Sequence, residues 1–110
     1  MRIELDVFSG RPNPGWMLTE AEAAELEAMM ASLPVAVAPP PPFDGLGYRG
    51  IVARKPADRG WSLVAFRDTV RIRTLEGSEV RSDPEARVER WLLGTAGDAV
   101  DPDLLARLGY

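Results

Sequence analysis

Residues Arg2–Phe8 alternate strictly, with Ile3, Leu5 and Val7 on one side and Glu4, Asp6 and Phe8 on the other. That period of two predicts a half-buried strand. Thr19-Glu20-Ala21-Glu22 reads as a capping box that opens a helix running to about Ser32, before Pro34. Its apolar stripe is Ala23, Leu26, Met29/Met30 and Leu33, with Glu20 and Glu22 at the positive end of the helix dipole. Further on, Ile51–Lys55 alternates again, and Trp61–Arg67 with Thr69–Leu75 predicts a hairpin about Arg67-Asp68. A two-residue connection would set Trp61, Leu63 and Ala65 beside Thr74, Ile72 and Val70, all facing the core. Arg-Asp is poor chemistry for a type I′ turn, so a longer loop and a shifted register stay open. Glu76-Gly77-Ser78 ends that strand. Ser82-Asp83-Pro84-Glu85 predicts a second capping box and a helix to about Leu93, with Val88, Trp91 and Leu92 inward and Gly94 at C′. Asp101-Pro102 starts a last short helix carrying Leu104, Leu105 and Leu108.

The predicted order is β-α-β-β-β-α-α. An α+β fold is expected: a small, mostly antiparallel sheet of about four strands with helices on one face. Residues 1–110 make one globular domain with a Pro-rich loop at 34–50, and five of the ten prolines fall between Pro34 and Pro42.

Between the first strand and the first helix lies Phe8-Ser9-Gly10-Arg11-Pro12-Asn13-Pro14-Gly15-Trp16. Each proline drives the residue before it into extended geometry, so Arg11 and Asn13 are presented on a stiff loop with Gly10 and Gly15 as pivots. Asn13-Pro14-Gly15-Trp16 fits a type II turn. The loop can grip a carboxylate or peptide backbone through Arg11 and Asn13. The competing and favoured use is internal: Arg11 on strand-end carbonyls, Asn13 closing an Asx-type turn, Trp16 plugging the core.

Composition mainly excludes. With no histidine there is no ordinary general base near neutral pH and no His-based triad, which lowers the expectation of an enzyme. With no cysteine there are no disulfides or thiolate sites, which fits a reducing, cytoplasmic setting. No apolar run approaches a membrane span. No metal or cofactor motif is present: Ser9 lacks a nucleophile-elbow context, Asp98/Asp101/Asp103 lacks the Gly and Glu of a calcium loop, and no P-loop or dinucleotide fingerprint occurs.

The net charge of −4 hides blocks of −5 over residues 1–46, +4 over 47–81 and −3 over 82–110. The basic block coincides with the central strands. Arg54, Arg71 and Arg73 are expected on the face away from the Leu63/Ile72 core, with Val64 and Phe66 nearby. Such a face can hold a peptide or an anionic ligand, whereas Glu4 and Asp6 can instead neutralise it across the sheet. Nucleic acid is not expected of an acidic chain with so small a basic block.

Asp6-Val-Phe-Ser-Gly-Arg-Pro-Asn-Pro14, with Trp16 and Leu18, resembles the opening of a group of short bacterial proteins, and Leu46-Gly-Tyr-Arg-Gly50 fits the same pattern. No activity is attached to that group, so the resemblance carries over no catalytic residue. The reading that follows is a non-catalytic binding or accessory module for a peptide or protein partner, for instance in maturation of a peptide natural product. Arg11, Asn13, Trp16, Tyr48, Arg49, Arg54, Phe66, Arg71 and Arg73 are the candidate contacts, without metal or cofactor, and a sheet edge offers a route to a homodimer. The alternatives are a small His-free enzyme using carboxylates with Tyr48 or Arg11, and an immunity- or inhibitor-type protein.

Overall fold

A computed structural model describes residues 1–8, 10, 12–36, 48–55 and 60–108. The expected strands form: β1 (Arg2–Asp6), β3 (Gly50–Arg54), β4 (Ser62–Phe66) and β5 (Thr69–Thr74). Two more join them, β2 (Gly15–Met17) and β6 (Gly77–Ser82), giving a six-stranded antiparallel sheet in the order β2-β1-β3-β4-β5-β6. Helices α1 (Glu20–Ala31), α2 (Arg87–Gly94) and α3 (Pro102–Arg107) complete an α+β fold. Among the described residues, no helix is long and apolar enough to cross a membrane.

Of the β4–β5 registers left open, the short one forms, Leu63↔Ile72 and Ala65↔Val70, closed through Phe66↔Thr69, while Thr74 is exposed. The short connection is reached with Arg67 in left-handed geometry, φ 57°. The type II turn at Pro14-Gly15 does not form. Gly15 lacks a positive φ and begins β2, while the Pro14 carbonyl accepts from the Leu5 amide. Pro14 has no N–H to return to the Leu5 carbonyl, so the β1–β2 pairing ends there. Gly77 does not end the sheet either: at φ 143° it turns the chain back into β6.

Alternation then divides the sheet in two. Ile3, Leu5, Ile51, Ala53, Leu63, Ala65, Val70 and Ile72 are buried in one cluster with Leu26 and Met30 of α1, Val88 and Leu92 of α2, and Leu108 beyond α3. The opposite side carries Arg2, Glu4, Val52, Arg54, Val64, Arg71, Arg73 and Val80, and buried Val52 lies outside that cluster.

α1 begins as predicted, with Thr19 and Glu22 exchanging both bonds of the capping box. Its last turn has no basic residue, and Arg81 of β6 supplies the positive charge by donating to the Met30 carbonyl at 2.8 Å. Glu27 pairs with Lys55, whose ammonium lies 5.4 Å from the Trp61 ring centroid.

The second capping box is replaced. Ser82 is the last residue of β6, its amide donating to the Pro34 carbonyl. Glu85 and Ala86 take left-handed geometry (φ 61° and 54°), so α2 cannot start before Arg87. Asp83 caps it instead, its carboxylate accepting from the Val88 amide at 2.9 Å. Gly94 belongs to α2, and Thr95 is its C-cap. Asp101 caps α3 through the Asp103 amide as expected.

Gly50 sits at φ 110°, and a Cβ there would lie 2.7 Å from the Ala65 carbonyl oxygen. Gly50→Ala should therefore lower unfolding free energy by about 2–3 kcal/mol. Equilibrium urea unfolding checks this, and a wild-type midpoint would show that β3 shifts freely at this point.

Candidate functional site

Two polar groupings stand apart from the ordinary surface. The first lies at the open end of β1 and β3. Asn13 Oδ1 accepts from the Val7 and Phe8 amides at 3.0 and 2.7 Å, and its Nδ2 donates to Glu4 at 3.2 Å and Asp6 at 3.4 Å. Arg49 clasps Asp6 with both arms of its fork, Nε to Oδ2 at 3.1 Å and Nη2 to Oδ1 at 2.8 Å, while its own amide donates to the Asp6 carbonyl. The hydrogen bond to Asp6, and then its charge, raise the Arg49 pKa further above its ordinary value. Glu4 meets Arg54 at 3.3 Å. This grouping is therefore mutually satisfied. Asn13 closes the corner, and Arg49 and Arg54 are held by β1 carboxylates.

Of the other expected contacts, Trp16 is buried and donates from Nε1 to Thr95 Oγ1 at 2.8 Å, tying β2 to the end of α2. Tyr48 and Phe66 are also buried, their ring centroids 5.5 Å apart. These aromatics position the strands rather than face a ligand. Arg11 lies outside the described residues.

What remains displayed is a pair. Arg71 and Arg73 are exposed on the sheet face that carries no helix among the described residues, the helix-free face, and among those residues neither has an acidic partner within ion-pair distance. Cross-strand pairing puts Arg71 between Val64 and Val80, both half-buried, and Arg73 between Ser62 and Ser78. The row through Arg73 continues to Arg54 and Arg2. This is the candidate site: a basic rank beside a valine seam.

The second polar grouping is inside. Glu89 of α2 is fully buried and accepts from the Arg67 amide. The Arg67 guanidinium lies 5.3 and 5.7 Å from the Phe66 and Tyr48 ring centroids. Burial pushes the Glu89 carboxyl up to about 6 against the opposing bond from Arg67. Asp83, also fully buried, is raised by burial too, opposed by amide donors of α2.

Sequence reasoning missed Glu89. The available signal was its place three residues before Leu92 and four before Leu93, inside the apolar stripe of α2. Among the described cavities, one of about 40 Å³ is lined by Asp83, Arg87, Ser32, Met29, Leu33, Pro84 and Val88. A hollow of about 210 Å³ at the β5–β6 turn is lined by Ile72, Thr74, Glu76, Gly77, Ser78 and Glu79. No group of metal-ligating side chains occurs among the described residues.

Comparison with known proteins adds no name to this geometry: no family profile, curated protein or solved structure matches the chain.

Between pH 4.5 and about 6 the folded chain keeps a proton on Glu89 that the unfolded chain has released. This group's contribution to stability is therefore largest below pH 4.5 and is lost as pH rises through 6. Wild type should gain about 1 kcal/mol on going from pH 7 to pH 5 relative to Glu89→Gln, read by urea unfolding at both pH values. Parallel pH profiles for the two proteins would refute the assignment. Asn13→Ala leaves two amides without their acceptor and should cost about 1–2 kcal/mol by the same measurement, whereas unchanged stability would mean that water replaces the side chain.

Proposed function

We propose that this protein is a small non-catalytic module that recognises a peptide or protein partner on the helix-free face of its sheet. The observation that carries the reading is Arg71, set between Val64 and Val80 with Arg73 beside it, both guanidiniums displayed while the neighbouring Arg49 and Arg54 are held by Asp6 and Glu4. Recognition surfaces commonly combine arginine with apolar contact area, because a planar fork orients a partner and apolar burial adds affinity. A cytoplasmic accessory role, such as presenting a precursor peptide to a processing enzyme, fits a chain lacking histidine and cysteine.

Two routes considered from sequence lose support. Arg49 is engaged by Asp6. The β6 edge, the natural place for an added strand or a second copy, is partly taken by the chain itself: the Ala36 amide donates to the Val80 carbonyl, and the Ser82 amide to the Pro34 carbonyl. A His-free enzyme is the weaker reading, since Glu89, the carboxyl best tuned for proton transfer, lines neither of the described cavities.

A random peptide library displayed on phage, selected against wild type and against a Val64→Lys/Val80→Lys variant of matched thermal stability, tests the site. Wild type should enrich sequences that the variant does not retain. Absence of enrichment, or enrichment retained by the variant, would overturn the reading.

A further inference from the structure

We propose that the occupant of this face is an amphipathic helix with acidic residues along one flank, its apolar stripe on the valine seam and its carboxylates on Arg71 and Arg73. The inference rests on the reading that the helix-free face is a recognition surface.

Backbone chemistry selects a helix. A sheet face presents side chains only, because its N–H and C=O groups lie in the plane of the sheet and are paired between strands. An extended segment laid on the face would leave its own peptide groups unmatched at the contact, whereas a helix brings them satisfied. Of the sheet's two edges, β6 is already bonded by Pro34 and Ala36 at Ser82 and Val80, and β2 is only three residues long.

Spacing fits the same occupant. The accessible seam Val64–Arg71–Val80 crosses three adjacent strands, about 10 Å at the usual strand separation. Two turns of helix cover about 11 Å. Arg71 and Arg73 are two residues apart on one strand and share a face, so they stand about 7 Å apart. The strand direction crosses that of the seam, so a helix that follows the seam has Arg71 beneath it and Arg73 under one flank, which is where its carboxylates must lie.

Charge selects the sign. Each carboxylate on this side of β1 is already held, Glu4 by Arg54 and Asp6 by Arg49. The surplus near the seam is therefore cationic: Arg71, Arg73 and, along the row, exposed Arg2. Acidic groups on the partner would pair with cations that no described residue neutralises, and basic ones would be repelled.

The test is fluorescence anisotropy with the full chain and three labelled probes. The first is a synthetic helix of three to four turns with Leu at helical spacing and Glu on one flank. The second is the same helix with Lys for Glu, and the third is an oligothymidylate of similar length. The acidic helix should bind and the Lys helix should not. Arg71→Glu/Arg73→Glu should weaken the acidic helix at least tenfold with an unchanged circular dichroism spectrum, and Arg71→Gln/Arg73→Gln should fall between.

Failure of the acidic helix to saturate by about 1 mM, the weak limit of useful recognition, would overturn the proposal. So would equal binding of the Lys helix, tighter binding of the oligonucleotide, or sedimentation showing the face filled by a second copy. Library selection yielding neutral or basic peptides that Val64→Lys/Val80→Lys loses would remove the acidic helix and leave the recognition surface standing.

Discussion

A carboxyl group in the core ties α2 to the turn between β4 and β5. Glu89 reaches from α2 to the backbone amide of Arg67, the left-handed residue that lets β4 turn into β5. An L-residue in left-handed geometry costs free energy, and an acceptor for its amide offsets part of that cost. The burial that makes this anchor effective also raises its pKa. Stability and proton affinity are consequently linked in one side chain.

The two faces of the sheet follow from the register that this turn fixes. With Phe66 opposite Thr69, every other residue of β4 and β5 is committed: Leu63, Ala65, Val70 and Ile72 to the helices, and Val64, Arg71 and Arg73 to the other side. A slip of one residue would exchange the sets. The helix side is completed by Arg81 at the end of α1 and by Trp16 against Thr95. On the opposite side Arg49 and Arg54 are held by the carboxylates of β1, whereas Arg71 and Arg73 of β5 are displayed. That division directs the functional reading to Arg71 and Arg73 rather than to the N-terminal loop.

Much of this was legible in the sequence where a local signal was strong. β1, the capping box of α1, the β4–β5 hairpin and Asp101 at α3 each rest on alternation or on short-range hydrogen-bond chemistry, and each formed. β2 and β6 were not legible, for different reasons. Gly-Trp-Met after a proline is too short to alternate, and Gly-Ser-Glu-Val-Arg-Ser has one apolar residue because edge strands need few. The start of α2 was misplaced because Ser82 has the capping chemistry but is drawn into β6 by long-range pairing. Tyr48 and Phe66 looked like contact residues and are core. Nothing local distinguishes a displayed aromatic from one that closes over a buried glutamate.

The sheet order also has a kinetic side. Strands β3 to β6 are a meander of neighbours joined by short connections, so their pairing closes small loops. β1 is different. It must meet β3 across the whole of α1 and the proline-rich crossing, with Asp6 opposite Gly50. Loop-closure entropy rises only logarithmically, about 0.6 kcal/mol for each doubling of length. The crossing can therefore lengthen or shorten between lineages at small thermodynamic cost. Within the meander, by contrast, one inserted residue would move the arginines and valines to the other face.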